Sequence, residues 1–319
     1  MERALQDRAR GCAVGAAVGD ALGMPLEFDP PRPESYMVRE MGVGRLPPGT
    51  FTDDTEMALA LAESLLSACP LEPADLAQRF VAWYRTEPYD VGIHTRSVLA
   101  RVASGTPWDL AVEAQQAENP DSAGNGSLMR AWPVALAHWE NLNGLLADSR
   151  LQSRVTHPHP ECEAACAFSN AVIYFLIQGA GKAEALAEAV RDAGLPEGLQ
   201  ETIEAAPLRN RNQLANSGWV RHTLESAVWG LMTTDSFEEA VIQVVNLGRD
   251  ADTAGAVVGA LAGAAYGLEA IPERWTGALR GQWPARSESV WRTPDLVRLA
   301  DRLLGLEPFD VPHKLEAGP

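Results

Sequence analysis

The sequence predicts an all-α protein, and three observations carry that expectation. Apolar residues recur at three- and four-residue spacing through most of the 319-residue chain, which is the period of one helix face. No stretch shows the sustained alternation of β-branched residues between hairpin turns that a sheet requires. Two segments carry glycine at every fourth position: Gly11, Gly15, Gly19 and Gly23, and Gly255, Gly259, Gly263 and Gly267. Strand content is expected to be negligible.

The elements follow in order. Residues i and i+4 share a helix face, so the first glycine segment presents a strip without side chains. Each interior glycine costs roughly 0.8–1 kcal/mol relative to alanine, and close approach of another helix backbone is the expected compensation. A merely alanine- and glycine-rich core is the plainer alternative. Asp54–Ala68 is dense in strong helix formers with apolar residues three and four apart. The same period marks 75–84, 108–117, 162–177, 183–193, 220–232, 237–245 and 294–304, and the second glycine strip follows the 237–245 helix. Breakers such as Pro30-Pro31-Arg32-Pro33, Leu46-Pro47-Pro48-Gly49, Asp121–Gly126 and His157-Pro158-His159-Pro160 separate the helices. None is long or polar enough for a flexible linker, so a single domain over 1–319, with its core at about 8–305, is expected.

Composition narrows the function. Hydrophobic residues make up 46% and charged residues 22%, an ordinary globular balance. The formal charge of −17 repels phosphate backbones, which disfavours general nucleic-acid binding. Four cysteines without a C-x-x-C pair suit a reducing compartment. The N-terminus lacks the basic-then-apolar order of a signal peptide. The longest apolar stretch, Thr253–Leu268, falls short of the ~18 residues of a membrane span. A cytoplasmic protein with no membrane partner is expected.

Two acidic clusters carry the chemistry. Thr52-Asp53-Asp54-Thr55 opens one helix, and Asp250-Ala251-Asp252-Thr253 opens the second glycine strip. Either cluster alone resembles a helix cap, where Thr or Asp satisfies free N–H groups. Capping needs one such residue, and crowded carboxylates raise one another's pKa unless a cation lies between them. Their oxygens are hard ligands suited to Mg²⁺ or Mn²⁺. His157, His159, Cys162 and Cys166 fall within ten residues and sketch a competing zinc site, although free cysteines often pack as small hydrophobes.

The motifs, in order, are Gly15–Gly23 with Glu27, Phe51–Thr55, Gly124–Arg130, Thr156-His157, Gly218-Trp219-Val220 and Asn246–Thr253. On these the chain resembles the ADP-ribosylglycohydrolases, the group that includes the dinitrogenase-reductase-activating glycohydrolases and the eukaryotic ADP-ribosylhydrolases. The resemblance implies a compact orthogonal helical bundle around a central site for two Mg²⁺ or Mn²⁺. Thr52, Asp53 and Asp54 would bind from one side, and Asp250, Asp252 and Thr253 from the other, with Asp252 bridging. Glu27, or Asp90 in Tyr89-Asp90-Val91-Gly92, would supply the acid–base carboxylate. Gly124, Asn125, Gly126 and Ser127, leading into a helix near Leu128, would cradle a diphosphate. His157 would bond ribose or diphosphate, and Gly218 and Trp219 would line the adenine side. A helix N-cap is the plain alternative for Asp90, a surface glutamate for Glu27, a structural histidine for His157 and a core side chain for Trp219.

The implied activity is hydrolytic removal of ADP-ribose from an ADP-ribosylated protein or small ADP-ribosyl compound, with mono-ADP-ribosyl-arginine the default. Other ADP-ribosyl linkages, a two-metal nucleotide phosphohydrolase and a non-catalytic ADP-ribose binder remain open at this stage.

Overall fold

The computed structural model describes residues 3–307. Fifteen helices follow in order: α1 (Arg3–Gly23), α2 (Asp53–Ser67), α3 (Pro73–Tyr84), α4 (Ile93–Ala103), α5 (Trp108–Glu118), α6 (Pro133–Ala137), α7 (Leu142–Arg154), α8 (Pro160–Gln178), α9 (Lys182–Asp192), α10 (Glu197–Ala205), α11 (Val220–Thr233), α12 (Phe237–Val245), α13 (Ala251–Tyr266), α14 (Glu273–Ala278) and α15 (Thr293–Leu303). Between α14 and α15 lies a two-stranded antiparallel ribbon, β1 (Arg280–Gln282) with β2 (Val290–Arg292), in which Gly281 faces Trp291. The fold is all-α, as the periodicity predicts. No helix among the described residues is long and apolar enough to cross a membrane.

The two glycine strips meet. α1 and α13 lie antiparallel at the centre, with Gly11 against Gly263, Gly15 against Gly259, Gly19 against Gly255 and Gly23 against Ala251. A Cβ on Gly19 would fall inside the carbonyl of Gly255, and one on Gly255 would strike that of Gly19. The penalty of so many helical glycines is offset by dispersion contacts between the two backbones, which no larger residue would permit. Gly267 ends the strip, its backbone against Gly11. It is the C-cap of α13, at φ 84°, and lies against Asp7.

The other helices wrap this pair. α8, α11 and α12 cover α13, and α15 covers α1. α15 buries Leu296, Leu299, Ala300 and Leu303, one apolar stripe at helical spacing. α2 enters from an extended segment fixed by the ribbon: Phe51 N–H donates to the Arg280 carbonyl at 3.1 Å, and Arg280 N–H donates to Gly49 at 2.8 Å. Gly281 leaves the room that the Phe51 ring fills. That clamp sets the position of Thr52 and the acidic start of α2.

One expected element is absent. No helix begins near Leu128; the N–H groups of Leu128 and Met129 both donate to the Asn125 carbonyl, closing a tight turn. The next helix waits until Pro133, whose fixed φ suits a first helical position.

Candidate active site

The antiparallel central pair builds the site. Because Gly23 at the end of α1 packs on Ala251 and Asp252 at the start of α13, the chain leaving α1 delivers Glu27 beside Asp250 and Asp252. Carboxylate oxygens of these three lie within 4.8 Å of one another. The start of α2 reaches the same place, held by a residue the sequence reading passed over. Asp20 of α1 is fully buried and takes the capping role at α2. It accepts from Thr52 N–H at 2.9 Å, Thr55 N–H at 3.2 Å and Thr55 Oγ1 at 2.6 Å. Thr52 Oγ1 lies 2.9 Å from Asp20 and 3.1 Å from Asp54. Asp53 and Asp54 are thereby released from capping. The signal for Asp20 was present: it is the one charged residue in the Gly11–Gly23 stretch of α1, which is otherwise made of small and apolar residues.

The electrostatics are those of crowded, desolvated anions. Burial pushes the Asp53 and Asp54 carboxyls well above their ordinary range; Asp90 adds to the rise at Asp53 and Asp20 to that at Asp54. Burial, then Asp252, lifts Asp250 to about 6, and burial lifts Asp20 to about 7. Asp252 is raised by burial and partly relieved by Arg45. Two helix N-termini, those of α2 and α13, point their positive ends into the cluster, yet the anions still exceed the local cations. Asp54 Oδ1 is buried without a hydrogen-bond partner, the condition an added cation relieves.

Arg45, on the loop between α1 and α2, is the second residue the sequence did not single out. Its guanidinium pairs with Glu27, with Asp90 at 2.7 Å and with Asp252 at 3.1 Å. Burial opposes its charge, but Asp252, Asp90 and Asp53 outweigh that and hold it protonated. Nothing about a lone arginine in a Pro- and Gly-rich loop announces this position.

A cavity of about 740 Å³ opens above the carboxylates. Of the predicted site residues, all but Thr52, Ser127 and Trp219 line it. Thr52 borders an adjoining cavity of about 230 Å³. Ser127 is buried, with its hydroxyl 2.8 Å from Ser153 Oγ. Trp219 stands at the rim, 39% exposed, edge-on to His222 and beneath the Arg221 guanidinium.

The glycine-asparagine-glycine loop braces this wall. Asn125 Nδ2 donates to Asp250 Oδ2 and to Thr223 Oγ1, each at 2.8 Å, so its amide orients a carboxylate of the cluster. Gly218 packs on the same Asp250 oxygen. His157 is buried and stacked on His94 with centroids 4.5 Å apart. Thr156 Oγ1 accepts from the buried Arg130 at 2.8 Å and lies 2.7 Å from His157 Nδ1. With the hydroxyl proton given to Nδ1, the ring proton resides on Nε2, facing the Gly124–Gly126 loop. Burial, then His94 and Arg130, pushes the His157 pKa well below its usual value, so the ring is a neutral donor. Gly126 is required here, because a Cβ would come within 2.9 Å of the His157 ring.

The His157, His159, Cys162 and Cys166 group does not gather on an ion. Cys162 Sγ donates to the Gly124 carbonyl at 3.2 Å, Cys166 Sγ to Ser127 Oγ at 3.5 Å, and His159 caps α8.

Comparison with known proteins agrees with this architecture. The family model described as ADP-ribosylglycohydrolase matches residues 1–310. The ADP-ribosylarginine hydrolase Tri1 of Serratia proteamaculans is 36% identical over 283 residues, covering 86% of this chain and 75% of that one. The ADP-ribosyl-[dinitrogen reductase] glycohydrolase of Rhodospirillum rubrum is 36% identical over 285 residues, covering 86% and 91%. A solved structure titled ADP-ribosylglycohydrolase-related protein complex superposes with a TM-score of 0.79 at 36% identity, covering 96% of this chain and 99% of that one.

Proposed function

This chain belongs to the ADP-ribosylglycohydrolase family and is a glycosidic-bond hydrolase of ADP-ribosyl groups, and on that premise we propose that it removes ADP-ribose from modified arginine in a reaction dependent on two divalent cations. The observation that carries the metal dependence is the buried, unpartnered Asp54 Oδ1 within a ring of raised carboxylates. The donor set fits Mg²⁺ or Mn²⁺: Thr52, Asp53 and Asp54 from α2, with Asp250, Asp252 and Thr253 from α13, offer only hard oxygens. Bound there, the ions supply positive charge that holds a ribose diol and polarises water.

Arginine as the target is supported by the Tri1 relative, an ADP-ribosylarginine hydrolase, and by Arg45. A pocket whose Glu27, Asp90 and Asp252 already surround one guanidinium has the charge and shape to receive another, carried in by substrate. Arg45 would have to yield its partners as that group enters.

The chain's own residues then act as follows. The bond from the ribose anomeric carbon to the guanidine nitrogen breaks as charge builds on the sugar, and the surrounding carboxylates stabilise that oxocarbenium-like state. Glu27, close to Asp250 and Asp252, takes a proton from water as its oxygen bonds to the anomeric carbon. The departing nitrogen keeps the electron pair of the broken bond and leaves as neutral guanidine; the proton drawn from water passes to it, and Asp90 at the cavity edge pairs with the guanidinium so formed. Gly124, Gly126 and the Nε2–H of His157 present donors to the diphosphate side, Asn125 and Gly218 steady Asp250, and Trp219 at the rim offers a face to adenine. The whole of 1–319 is proposed to work as one domain, since α1 and α13, from opposite ends of the chain, jointly form the site.

The test is product analysis on a mono-ADP-ribosylarginine peptide with Mg²⁺ or Mn²⁺. Free ADP-ribose and unmodified arginine in equal amounts are expected. AMP or phosphate released without ADP-ribose would replace this reading with a phosphohydrolase, and binding without cleavage would leave only an ADP-ribose binder.

A further inference from the structure

Away from the active cavity, three chemically different side chains converge on one point. Cys69 follows α2 and is exposed, His138 ends α6, and Asp148 lies in α7, the last two buried. Asp148 Oδ2 is 2.6 Å from His138 Nε2, and Cys69 Sγ is 3.4 Å from the same nitrogen. All three ligand atoms fall within 4.8 Å of one another. None of the three lines either cavity of the active site.

A nucleophilic relay does not explain the cluster. A Cys–His–Asp relay works through both ring nitrogens, one facing the thiol and the other the acid. Here the carboxylate bonds Nε2 at 2.6 Å and the sulfur also lies nearer Nε2, at 3.4 Å, than Nδ1, at 4.0 Å, so thiol and acid do not take opposite nitrogens. A plain His–Asp ion pair explains two members and leaves the thiol's placement without a reason. A shared cation explains all three. Zinc bound at about 2.3 Å from sulfur and about 2.0–2.1 Å from nitrogen in a tetrahedral shell would hold those atoms roughly 3.5 Å apart, close to the spacing found. The oxygen and nitrogen would have to part by under about 1 Å from their present hydrogen bond. Asp148 Oδ2 also accepts from Leu71 N–H at 2.8 Å, the kind of outer contact that orients a metal-binding carboxylate.

We propose that Cys69, His138 and Asp148 form a second metal site, selective for zinc or a similar borderline cation, with a fourth position open to solvent at the exposed Cys69. Thiolate, imidazole and carboxylate suit Zn²⁺, whereas the all-oxygen cluster at the active site suits Mg²⁺ or Mn²⁺. The chain thus sorts two kinds of cation by ligand softness. Thiolate and carboxylate together neutralise the ion, which binds with release of the thiol proton and of the proton that His138 Nε2 shares with Asp148 Oδ2. The ion would tie the α2–α3 connection to α6 and α7.

The experiment uses the full chain, stripped of metal, with Mg²⁺ in excess to fill the oxygen site, and titrates cobalt(II). A sulfur-to-cobalt charge-transfer band saturating at one equivalent is expected, with the visible bands of four-coordinate cobalt. Zinc should erase it. Cys69→Ser should lack it while keeping hydrolase activity and cooperative unfolding, and Asp53→Asn should retain it. Cys12, Cys162 and Cys166 are buried and would not contribute. No charge-transfer band in the wild type, or an undiminished band in Cys69→Ser, would overturn the proposal.

Discussion

At the scale of single residues, Asp53 and Asp252 are the decisive tests because each is buried among other carboxylates. Replacing either by Asn removes one negative charge and one ligand oxygen while preserving shape. Turnover should fall by more than about 100-fold, beyond the loss expected for outer-shell changes, with cooperative unfolding intact. Wild-type rates in both variants would end the metal assignment. Glu27→Ala separates chemistry from binding: kcat should drop by about 10²–10⁴, the range of a lost general base, with ADP-ribose affinity nearly unchanged. Equal losses in the two would remove Glu27 from the chemistry. Asp53 and Asp252 were legible because carboxylates doubled at helix starts exceed what capping needs, and Glu27 only through the family resemblance. The sequence did not point to Arg45, whose meaning comes from three partners distant in the chain, Glu27, Asp90 and Asp252. Asp20 was hidden because its role is to cap a helix other than its own.

At the scale of elements, the α1–α13 pair converts glycine spacing into site geometry. Gly19→Ala would gain up to ~1 kcal/mol of helix propensity, but its Cβ would press into the Gly255 carbonyl. Backbone cannot step aside as a side chain can, so overpacking, costing about 1–3 kcal/mol, should win and lower Tm. Metal affinity should fall with it, since the same contact sets Gly23 against Asp252. Gly277→Ala in α14, where a new Cβ meets nothing within 4 Å, is the matched control and should be neutral or stabilising. A stable, fully active Gly19→Ala would contradict the close packing. Other elements were less legible. α7 turns Asp148, Ser149, Gln152 and Ser153 inward, so its buried face is polar and gives no apolar period. α10 buries only Leu199 and Ile203, too few to stand out. The helix expected near Leu128 failed because Asn125 closes a turn there, a choice that glycine-flanked loops leave open.

For the whole molecule, the buried acids make stability depend on pH and cation together. Asp20 and Glu56 are lifted to about 7 and Asp250 to about 6, mainly by burial. These are carboxyls whose folded pKa lies above the unfolded one, so between about pH 4 and pH 7 the folded state binds more protons than the unfolded chain. Stability of the metal-free protein should therefore fall as pH rises through that window, the reverse of an acid-sensitive protein with salt-bridged carboxylates. A divalent cation reverses the sign of the problem by making the ionised cluster the favoured state. At about 100 times its Kd, such an ion adds about 2.7 kcal/mol, or roughly 5 °C in Tm for a chain of this size, and more at pH 7.5 than at pH 5. Thermal melts at the two pH values, with chelator and with Mn²⁺, measure both effects. A metal-free Tm that rises with pH, or a Mn²⁺ shift that does not grow with it, would mean that the carboxylates are not desolvated against one another, and the cation would lose its physical reason for being there.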